Sequence, residues 1–333
     1  MNTVVLGAGA WGTAMSIHLA RQGHSVTLVP RRADHALEIA SSRENRDYLP
    51  GHFLDMSIQV GLELTPALME ADLIFIACPS KGLPELLKNV RGSLDAQQPP
   101  KLVLSLCKGL DRETLRRPSE LISQALPGVK VAALSGPTNA GEVARGLPAA
   151  VVLAGTDAAA LEEAQAAISG ATLRAYTSND LIGTEIGGTL KNVYAVGAGL
   201  CDGLGLGSNA KASFLTRSLQ EMVRLGVALG GRSETFLGLS GTGDLMATAH
   251  GTWSRNRGYG EEVARDFAGA RAALTNRKSV VEGVWATEAF ARIARDRKTD
   301  APILGCLDSI LRGDLEPRAG VAALMTRDLK REG

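Results

Sequence analysis

The sequence predicts an α/β unit with a largely parallel sheet, followed by an all-helical unit, and three observations carry that expectation. A strand, a glycine turn and a helix open the chain at Thr3–Ala20. Short apolar runs then alternate with helix-like segments as far as about Gly183. Beyond that point β-branched runs nearly vanish while helical spacing continues, so a sheet has nothing further to build on. The expected division is residues 1–182 and residues 183–333 of the 333-residue chain, long enough for two hydrophobic cores.

The opening is the most specific element. Thr3-Val4-Val5-Leu6 is an apolar strand, Gly7-Ala8-Gly9-Ala10-Trp11-Gly12 is the turn, and Thr13 to Ala20 reads as helix, ending near Gly23. Gly7 suits the tight turn, Gly9 lacks the Cβ that would block a pyrophosphate, and Gly12 lets the helix press on the strand. The helix then aims unpaired N–H groups at an anionic phosphate. Ser25-Val26-Thr27-Leu28-Val29 supplies the next strand and completes a Rossmann-like βαβ start. A site for NAD usually carries Asp or Glu about 20 residues past the glycines to bond the ribose 2′-OH, whereas Arg suits a 2′-phosphate. This chain has Pro30-Arg31-Arg32, which favours NADP(H) while leaving NAD(H) compatible.

Further strands are expected at Leu73–Ala77, Leu102–Leu106, Val131–Leu134 and Ala150–Leu153. Three of them run into turn chemistry at Cys78-Pro79-Ser80, Cys107-Lys108-Gly109 and Ser135-Gly136-Pro137-Thr138. Ligands bind at the carboxyl ends of strands in open α/β sheets, so these loops are candidate cleft walls. Ala158–Ala167 reads as an alanine-rich helix, and Leu215–Leu229 and Glu261–Ala273 carry helical spacing in the second unit. Glycines at 187, 188, 197, 199, 203, 205 and 207 weaken isolated helices by about 1 kcal/mol each relative to alanine, so they imply closely packed helices or backbone needed near a ligand.

Composition excludes several classes. Lys and Arg total 36 against 35 Asp and Glu, scattered along the chain, so no polyanion-binding stripe for nucleic acid exists. No membrane-length apolar run appears and the first residues read as a strand rather than a leader, which predicts a cytoplasmic protein without membrane insertion. Cys78, Cys107, Cys201 and Cys306 are far apart and the five histidines lack ligand spacing, so reduced thiols and no metal are expected.

Four segments, Gly187-Gly188-Thr189-Leu190-Lys191-Asn192, Asp202-Gly203-Leu204-Gly205, Gly241-Thr242-Gly243-Asp244-Leu245 and Ser254-Arg255-Asn256-Arg257, together resemble the bacterial-type NAD(P)-dependent glycerol-3-phosphate dehydrogenases. The likeness continues through Ser135–Thr138, Glu142–Pro148 and Val280-Val281-Glu282-Gly283, covering nearly the whole chain in order. It implies reversible reduction of dihydroxyacetone phosphate to sn-glycerol 3-phosphate, a small phosphorylated substrate, and a homodimer. Cofactor contacts are implied at Ala10, Trp11, Arg31, Lys108, Ala140, Arg255, Val280 and Glu282, and substrate contacts at Lys108 and Lys191.

Chemistry argues for the same residues. Hydride delivery to a ketone leaves an alkoxide that needs a proton and electrostatic stabilisation. Lys191, on a helix opened by Gly187-Gly188, is the candidate acid/base, with Lys108 facing it from the other domain. Asp244, an acid between glycine-rich backbone and an apolar run, is expected to pair with Lys191 or a substrate hydroxyl, because an unpaired buried carboxylate is costly. Ser254, Arg255 and Asn256 offer a charge-assisted fork and a helix N-terminus to the substrate phosphate, and Gly136 and Thr138 serve it from the sheet side. Departures from the family pattern are Asn139 for the usual Phe, Thr242 for Leu, Pro30 for Trp, Lys211 for Arg, and His250 at a small polar position. Two other readings share some of these features: a β-hydroxyacid-type dehydrogenase acting on a carboxylate, and an NADP(H) sensor without turnover.

Overall fold

A computed structural model describes residues 1–94, 99–277, 280–329 and 331, without the side chain of Asn276. The chain divides into two compact units, Met1–Glu185 and Ile186–Gly333.

The first unit runs β1 (Asn2–Leu6), α1 (Ala10–Arg21), β2 (Ser25–Val29), α2 (Ala33–Ser42), β3 (Ile58–Val60), α3 (Leu64–Leu68), β4 (Leu73–Ile76), a single 3-10 turn, α4 (Leu83–Ser93), β5 (Leu102–Ser105), α5 (Pro118–Ala125), β6 (Val131–Ser135), α6 (Ala140–Ala144), β7 (Ala149–Gly155), α7 (Ala158–Ile168) and β8 (Leu173–Ser178). The strands form one sheet in the order β3-β2-β1-β4-β5-β6-β7-β8. Every neighbouring pair is parallel except β6 with β7, which is antiparallel with Leu134 opposite Leu153. Successive side chains of a strand point to opposite faces, and here both faces are covered. Val5, Leu73, Phe75 and Leu104 pack into one core with α1 and α7, while Val4, Leu6, Ile74, Ile76 and Val103 pack into a second with α4 and α5. That double burial explains why the strands read as continuous apolar runs.

The sheet order reverses between β1 and β4, because the chain proceeds from β1 to β2 and β3 on one side and from β4 to β5 and β6 on the other. Such a switch point leaves a crevice at the carboxyl ends of the two strands, and the glycine turn sits there. Two short or half-exposed strands, β3 and β8, escape the sequence reading. β3 has three residues, and β8 alternates buried Leu173 and Ala175 with exposed Arg174 and Tyr176, a pattern weaker than the apolar runs.

The long helix α8 (Leu181–Gly203) crosses the division, followed by α9 (Gly207–Ala228), α10 (Ser233–Leu237), a π turn at Leu239–Gly243, α11 (Asp244–His250), α12 (Arg255–Arg265), α13 (Phe267–Asn276), α14 (Glu282–Asp296), α15 (Pro302–Arg312) and α16 (Pro317–Met325). Among the described residues the second unit is entirely helical. Gly187 lies within α8 rather than opening it, and a Cβ there would meet the Ser240 backbone at 3.0 Å, so its purpose is close packing. Close packing also explains Gly199 and Gly260, whose added Cβ atoms would lie 1.9 and 2.0 Å from the Arg257 and Val196 carbonyl oxygens. The stretch expected as one helix over Glu261–Ala273 is two, because Asp266 leaves helical geometry and its carboxylate accepts from Gly269 N at 3.0 Å to cap α13. Buried Glu221 satisfies the first N–H groups of α15, accepting from Ile303 and Leu304 at 2.9 and 2.7 Å, and accepts from the Tyr194 hydroxyl of α8 at 3.2 Å. No helix of the described residues is long and apolar enough to cross a membrane.

Candidate active site

Each glycine of the first turn has its own physical reason. Gly7 has φ of +112°, and a Cβ on it would lie 2.6 Å from the Ala77 carbonyl oxygen just beyond β4. A Cβ on Gly12 would lie 2.1 Å from the Gly7 oxygen, so this glycine lets α1 close on the turn. Gly9 is different: a Cβ there meets no protein atom within 4 Å. Protein packing does not demand glycine at that position, whereas an approaching pyrophosphate does. α1 has no side-chain cap and no acidic residue in its first turn, leaving its positive end to an anion. The indole N–H of Trp11 in the same turn is buried without a hydrogen-bond partner. An open glycine, a bare helix end and an orphaned donor fit a dinucleotide.

A residue that the sequence reading passed over holds the turn from behind. Asn45 is fully buried, and its amide donates to the Ala8 carbonyl at 2.9 Å and to the Thr13 hydroxyl at 2.7 Å while its Oδ1 meets the His35 ring at 3.1 Å. It lies in a polar stretch with no periodicity, so only tertiary structure reveals it. Beyond β2, Arg31 and Arg32 are both exposed but differ. Arg32 is paired with Asp34 at 3.2 Å, whereas Arg31 has no ion-pair partner among the described residues. Arg31 is the guanidinium more available to a ligand phosphate.

Three more predicted residues converge in this unit. The Lys108 ammonium, two residues after Leu106, donates to the Gly136 carbonyl at 2.8 Å and to the Thr138 hydroxyl at 2.9 Å. Gly136 has φ of +130°, a conformation that turns the chain after β6 and brings this carbonyl to the lysine. Asn139 N-caps α6 by accepting from Glu142 N at 3.1 Å, which accounts for a polar residue in place of Phe and sets Ala140 as the first residue of that helix.

In the second unit Lys191 is buried and its ammonium donates to Asp244 Oδ1 at 2.9 Å and Thr248 Oγ1 at 2.7 Å. Asp244 is the first residue of α11, delivered by the π turn, and Thr248 follows one helical turn later on the same face. A Cβ on Gly241 of that turn would lie 2.0 Å from the Phe236 carbonyl oxygen, so only glycine lets the chain fold this tightly. Thr242 donates to the Phe236 carbonyl at 3.0 Å and steadies the same turn. Thr248 was not foreseen, although its spacing four residues after Asp244 was the available signal. His250 ends α11 with its ring bonded to the Met246 carbonyl at 3.0 Å, a local helix contact.

α12 begins at Arg255, capped by Ser254, whose hydroxyl accepts from Arg257 N at 3.2 Å. Protein crowded around the Arg255 guanidinium pulls its pKa down and the Glu282 carboxylate opposes that, yet the residue keeps an exposed surface. An arginine so placed stays charged and reachable by an anion. Asp202 anchors the base of α12, accepting from Lys211 and from Arg257 Nε at 2.7 Å each. Burial alone would raise the Asp202 carboxyl, but these two cations outweigh it and hold it below its ordinary value. Lys211 therefore fills the expected Arg position as an ion-pair partner. Burial pushes the neighbouring Cys201 thiol up to about 11, leaving it protonated and unreactive. Val280 and Glu282 flank the start of α14, with Glu282 as its first helical residue. The described residues contain no group of three His, Cys, Asp or Glu that could hold a metal.

A switch-point glycine turn in an α/β unit, and a buried lysine–aspartate pair in a helical unit, define a nicotinamide-dependent oxidoreductase. Residues 2–161 match the family described as NAD-dependent glycerol-3-phosphate dehydrogenase N-terminus, and residues 180–322 match its C-terminus. The chain is 44% identical over 334 residues to glycerol-3-phosphate dehydrogenase [NAD(P)+] of Thermus thermophilus, covering 100% of both chains. It superposes with a TM-score of 0.90 on the crystal structure of glycerol-3-phosphate dehydrogenase from Coxiella burnetii, at 34% identity and 98% coverage of both chains. A ketopantoate reductase from Ralstonia eutropha, 18% identical at a TM-score of 0.61 over 94% of this chain and 97% of its own, shares the fold alone. The chain belongs to the NAD-dependent glycerol-3-phosphate dehydrogenase family.

Proposed function

We propose that this chain reduces dihydroxyacetone phosphate reversibly to sn-glycerol 3-phosphate with NADPH as the preferred reductant, supplying a backbone for glycerophospholipids. The observation that carries the reading is Lys191, buried and held by Asp244 and Thr248 in a chain of this family. Residues 1–182 serve as the dinucleotide-binding domain and residues 183–333 as the substrate domain. The glycine turn with Ala10 and Trp11 takes the pyrophosphate, Arg31 and Arg32 the 2′-phosphate, and Ala140, Val280 and Glu282 complete the cofactor contacts. When bound, the reduced nicotinamide supplies a hydride to the carbonyl carbon. Lys191 donates the proton to the oxygen that becomes the alkoxide, and its positive charge stabilises that oxygen as it forms. Asp244 keeps the ammonium fixed in place, and Lys108 with Gly136 and Thr138 holds the substrate from the sheet side. Arg255 supplies the charge-assisted fork for the substrate phosphate, with Ser254 and Asn256 beside it at the positive end of α12. A homodimer in the cytoplasm belongs to the same reading.

A substrate panel tests it. With NADPH, kcat/KM for dihydroxyacetone phosphate should exceed that for three- and four-carbon 2-oxo acids by at least about 10³-fold, since a site built to bond a phosphate leaves charged groups unpaired against a carboxylate. Preference for a 2-oxo acid would transfer the chain to the β-hydroxyacid reading, and cofactor binding without turnover of any substrate would make it a sensor.

A further inference from the structure

Two cysteines that stand 29 positions apart in the chain meet at the carboxyl end of the sheet. β4 and β5 are parallel with Ile76 opposite Ser105, and the Leu106 N–H still donates to the Ile76 carbonyl at 2.9 Å. Two residues further along each strand, the same register sets Cys78 opposite Cys107. Positions two apart share a face of a strand, and both cysteines pack on the apolar core that holds Ile76 and Val103. The Cys107 thiol leans across the gap, donating to the Cys78 carbonyl at 3.1 Å and lying 3.7 Å from the Ile76 carbonyl oxygen. Neighbouring strands run about 4.8 Å apart, within the roughly 4.4–6.8 Å between Cα atoms that a disulfide spans. Access is unequal, since Cys107 is buried and Cys78 half-buried. The backbone at each adjoins a residue with a proposed role. A Cβ on Gly7 would lie 3.3 Å from the Cys78 nitrogen, so the glycine turn rests on this peptide, and Lys108 follows Cys107 directly.

We propose that Cys78 and Cys107 are a modification site for peroxide, a dithiol whose oxidation to a disulfide reversibly slows the enzyme. Cys78, the more accessible thiol, loses its proton, and its sulfur attacks one oxygen of hydrogen peroxide. The O–O bond breaks, the departing hydroxide takes the proton to become water, and Cys78 is left as a sulfenic acid. The Cys107 sulfur then attacks the Cys78 sulfur, the S–O bond breaks, and the hydroxyl group leaves as water with the Cys107 proton. The two thiols together lose two electrons and the peroxide gains them. The other two thiols are poorly suited to such attack, because burial pushes Cys201 up to about 11 and also raises Cys306. A disulfide holds its Cβ atoms about 3.8 Å apart, so the two strand ends must draw together. That pulls Lys108 from Gly136 and Thr138, which it bonds at 2.8 and 2.9 Å, and shifts the peptide under the glycine turn. Formation of the disulfide depends on the fold alone; its effect on rate rests on the proposed reaction.

The experiment treats the reduced protein with hydrogen peroxide, blocks the remaining thiols and maps disulfides by mass spectrometry of proteolytic peptides. Parallel samples are assayed for NADPH affinity by fluorescence and for turnover of dihydroxyacetone phosphate, before and after dithiothreitol. Two of the four thiols should disappear into a Cys78–Cys107 cross-link. Turnover should fall by at least about 10-fold, since a misplacement of about 1 Å can cost about 10²-fold, and dithiothreitol should restore it. Cys78→Ser and Cys107→Ala, each compared with its own untreated form, should lose the reversible response. Cys107→Ala should also stop at a Cys78 sulfenic acid, which dimedone traps. The wild-type peptide map needs no variant, so a variant that fails to fold leaves the test standing. A cross-link elsewhere, no cross-link, a Cys78–Cys107 cross-link with unchanged turnover, or a reversible response surviving in Cys78→Ser would each overturn the proposal. If the untreated protein does not turn over dihydroxyacetone phosphate, the proposed reaction fails instead. NADPH affinity then carries the test: weakening on oxidation with recovery on reduction upholds the dithiol, and an unchanged affinity overturns it.

Discussion

The two candidate sites are made of different material. In the N-terminal unit the turn from Gly7 to Gly12 works through backbone, with absent Cβ atoms, a bare helix end and one orphaned indole donor. In the C-terminal unit the site works through side chains, with Lys191, Asp244, Thr248, Asn192 and Asn256 brought together from three helices. A backbone site tolerates change only where a Cβ fits. A side-chain site tolerates change only where charge and hydrogen bonds stay balanced, so substitutions in the two should fail in different ways.

The largest contrast is expected at Lys191. Lys191→Met should lower turnover by at least about 10²- to 10⁴-fold with NADPH affinity near wild type, because general acid catalysis alone supplies that factor. It also removes the charge facing buried Asp244, which costs about 3–5 kcal/mol of stability when a buried pair is broken on one side. Adding Asp244→Asn should restore part of that stability and none of the activity. Denaturant midpoints and single-turnover rates on both variants check the separation; activity returning in the double variant would show that the single change had only damaged the fold.

Arg255→Gln comes next. Hydrogen bonds to charged groups are worth about 1.5–3 kcal/mol, so kcat/KM for dihydroxyacetone phosphate should drop roughly 10- to 100-fold. Turnover of unphosphorylated dihydroxyacetone should barely move. Equal losses on both would assign Arg255 to the cofactor or to the fold.

In the backbone site, neighbouring glycines should part company. Gly12→Ala drives a Cβ toward the Gly7 oxygen and should cost at least about 1–3 kcal/mol of stability. Gly9→Ala meets no protein atom and should leave stability within about 1 kcal/mol, yet weaken NADPH binding by about 10-fold or more. Fluorescence titration with NADPH beside thermal melts distinguishes them, and normal cofactor affinity in Gly9→Ala would remove the pyrophosphate from that position.

Arg31→Ser should narrow the NADPH-to-NADH ratio of kcat/KM several-fold or more, and Arg32→Ser less, because Arg32 already shares its charge with Asp34. Both are measured at one ionic strength, since screening alone shifts such ratios. An unchanged ratio in Arg31→Ser assigns the preference elsewhere.

The smallest effect concerns the base of α12. Asp202 has its pKa lowered in the fold, so its contribution is present above the ordinary carboxylate value of 3.8 and is lost as pH falls through the lowered folded value. Asp202→Asn should be less stable than wild type at neutral pH and converge with it in acid. Parallel pH–stability curves would mean that the ion pairs with Lys211 and Arg257 contribute no net stability.

Legibility followed the same divide. The glycine turn lies within six consecutive residues and its physics is local, so sequence alone specifies it, along with the apolar strands β1, β2, β4, β5, β6 and β7. Asn45 was invisible because its partners, Ala8 and Thr13, are more than thirty positions away in an unpatterned stretch. Lys191 and Asp244 were named from motifs, and their pairing was one of two outcomes expected for a buried carboxylate; folding decides between them by closing a contact across 53 positions. Gly187 was misplaced as the start of a helix because glycine ordinarily breaks one. Here packing on the Ser240 backbone outweighs that local preference. Asn139 and Lys211 looked like anomalies until their partners, Glu142 N and Asp202, were in view.

The most direct test of the whole account is the stoichiometry of the wild-type reaction: NADPH consumed with dihydroxyacetone phosphate, and product identified by chiral analysis. One sn-glycerol 3-phosphate should form per NADPH oxidised, with NADH giving the same product less efficiently. NADPH that binds but is not oxidised, or oxidation without formation of that enantiomer, would contradict it.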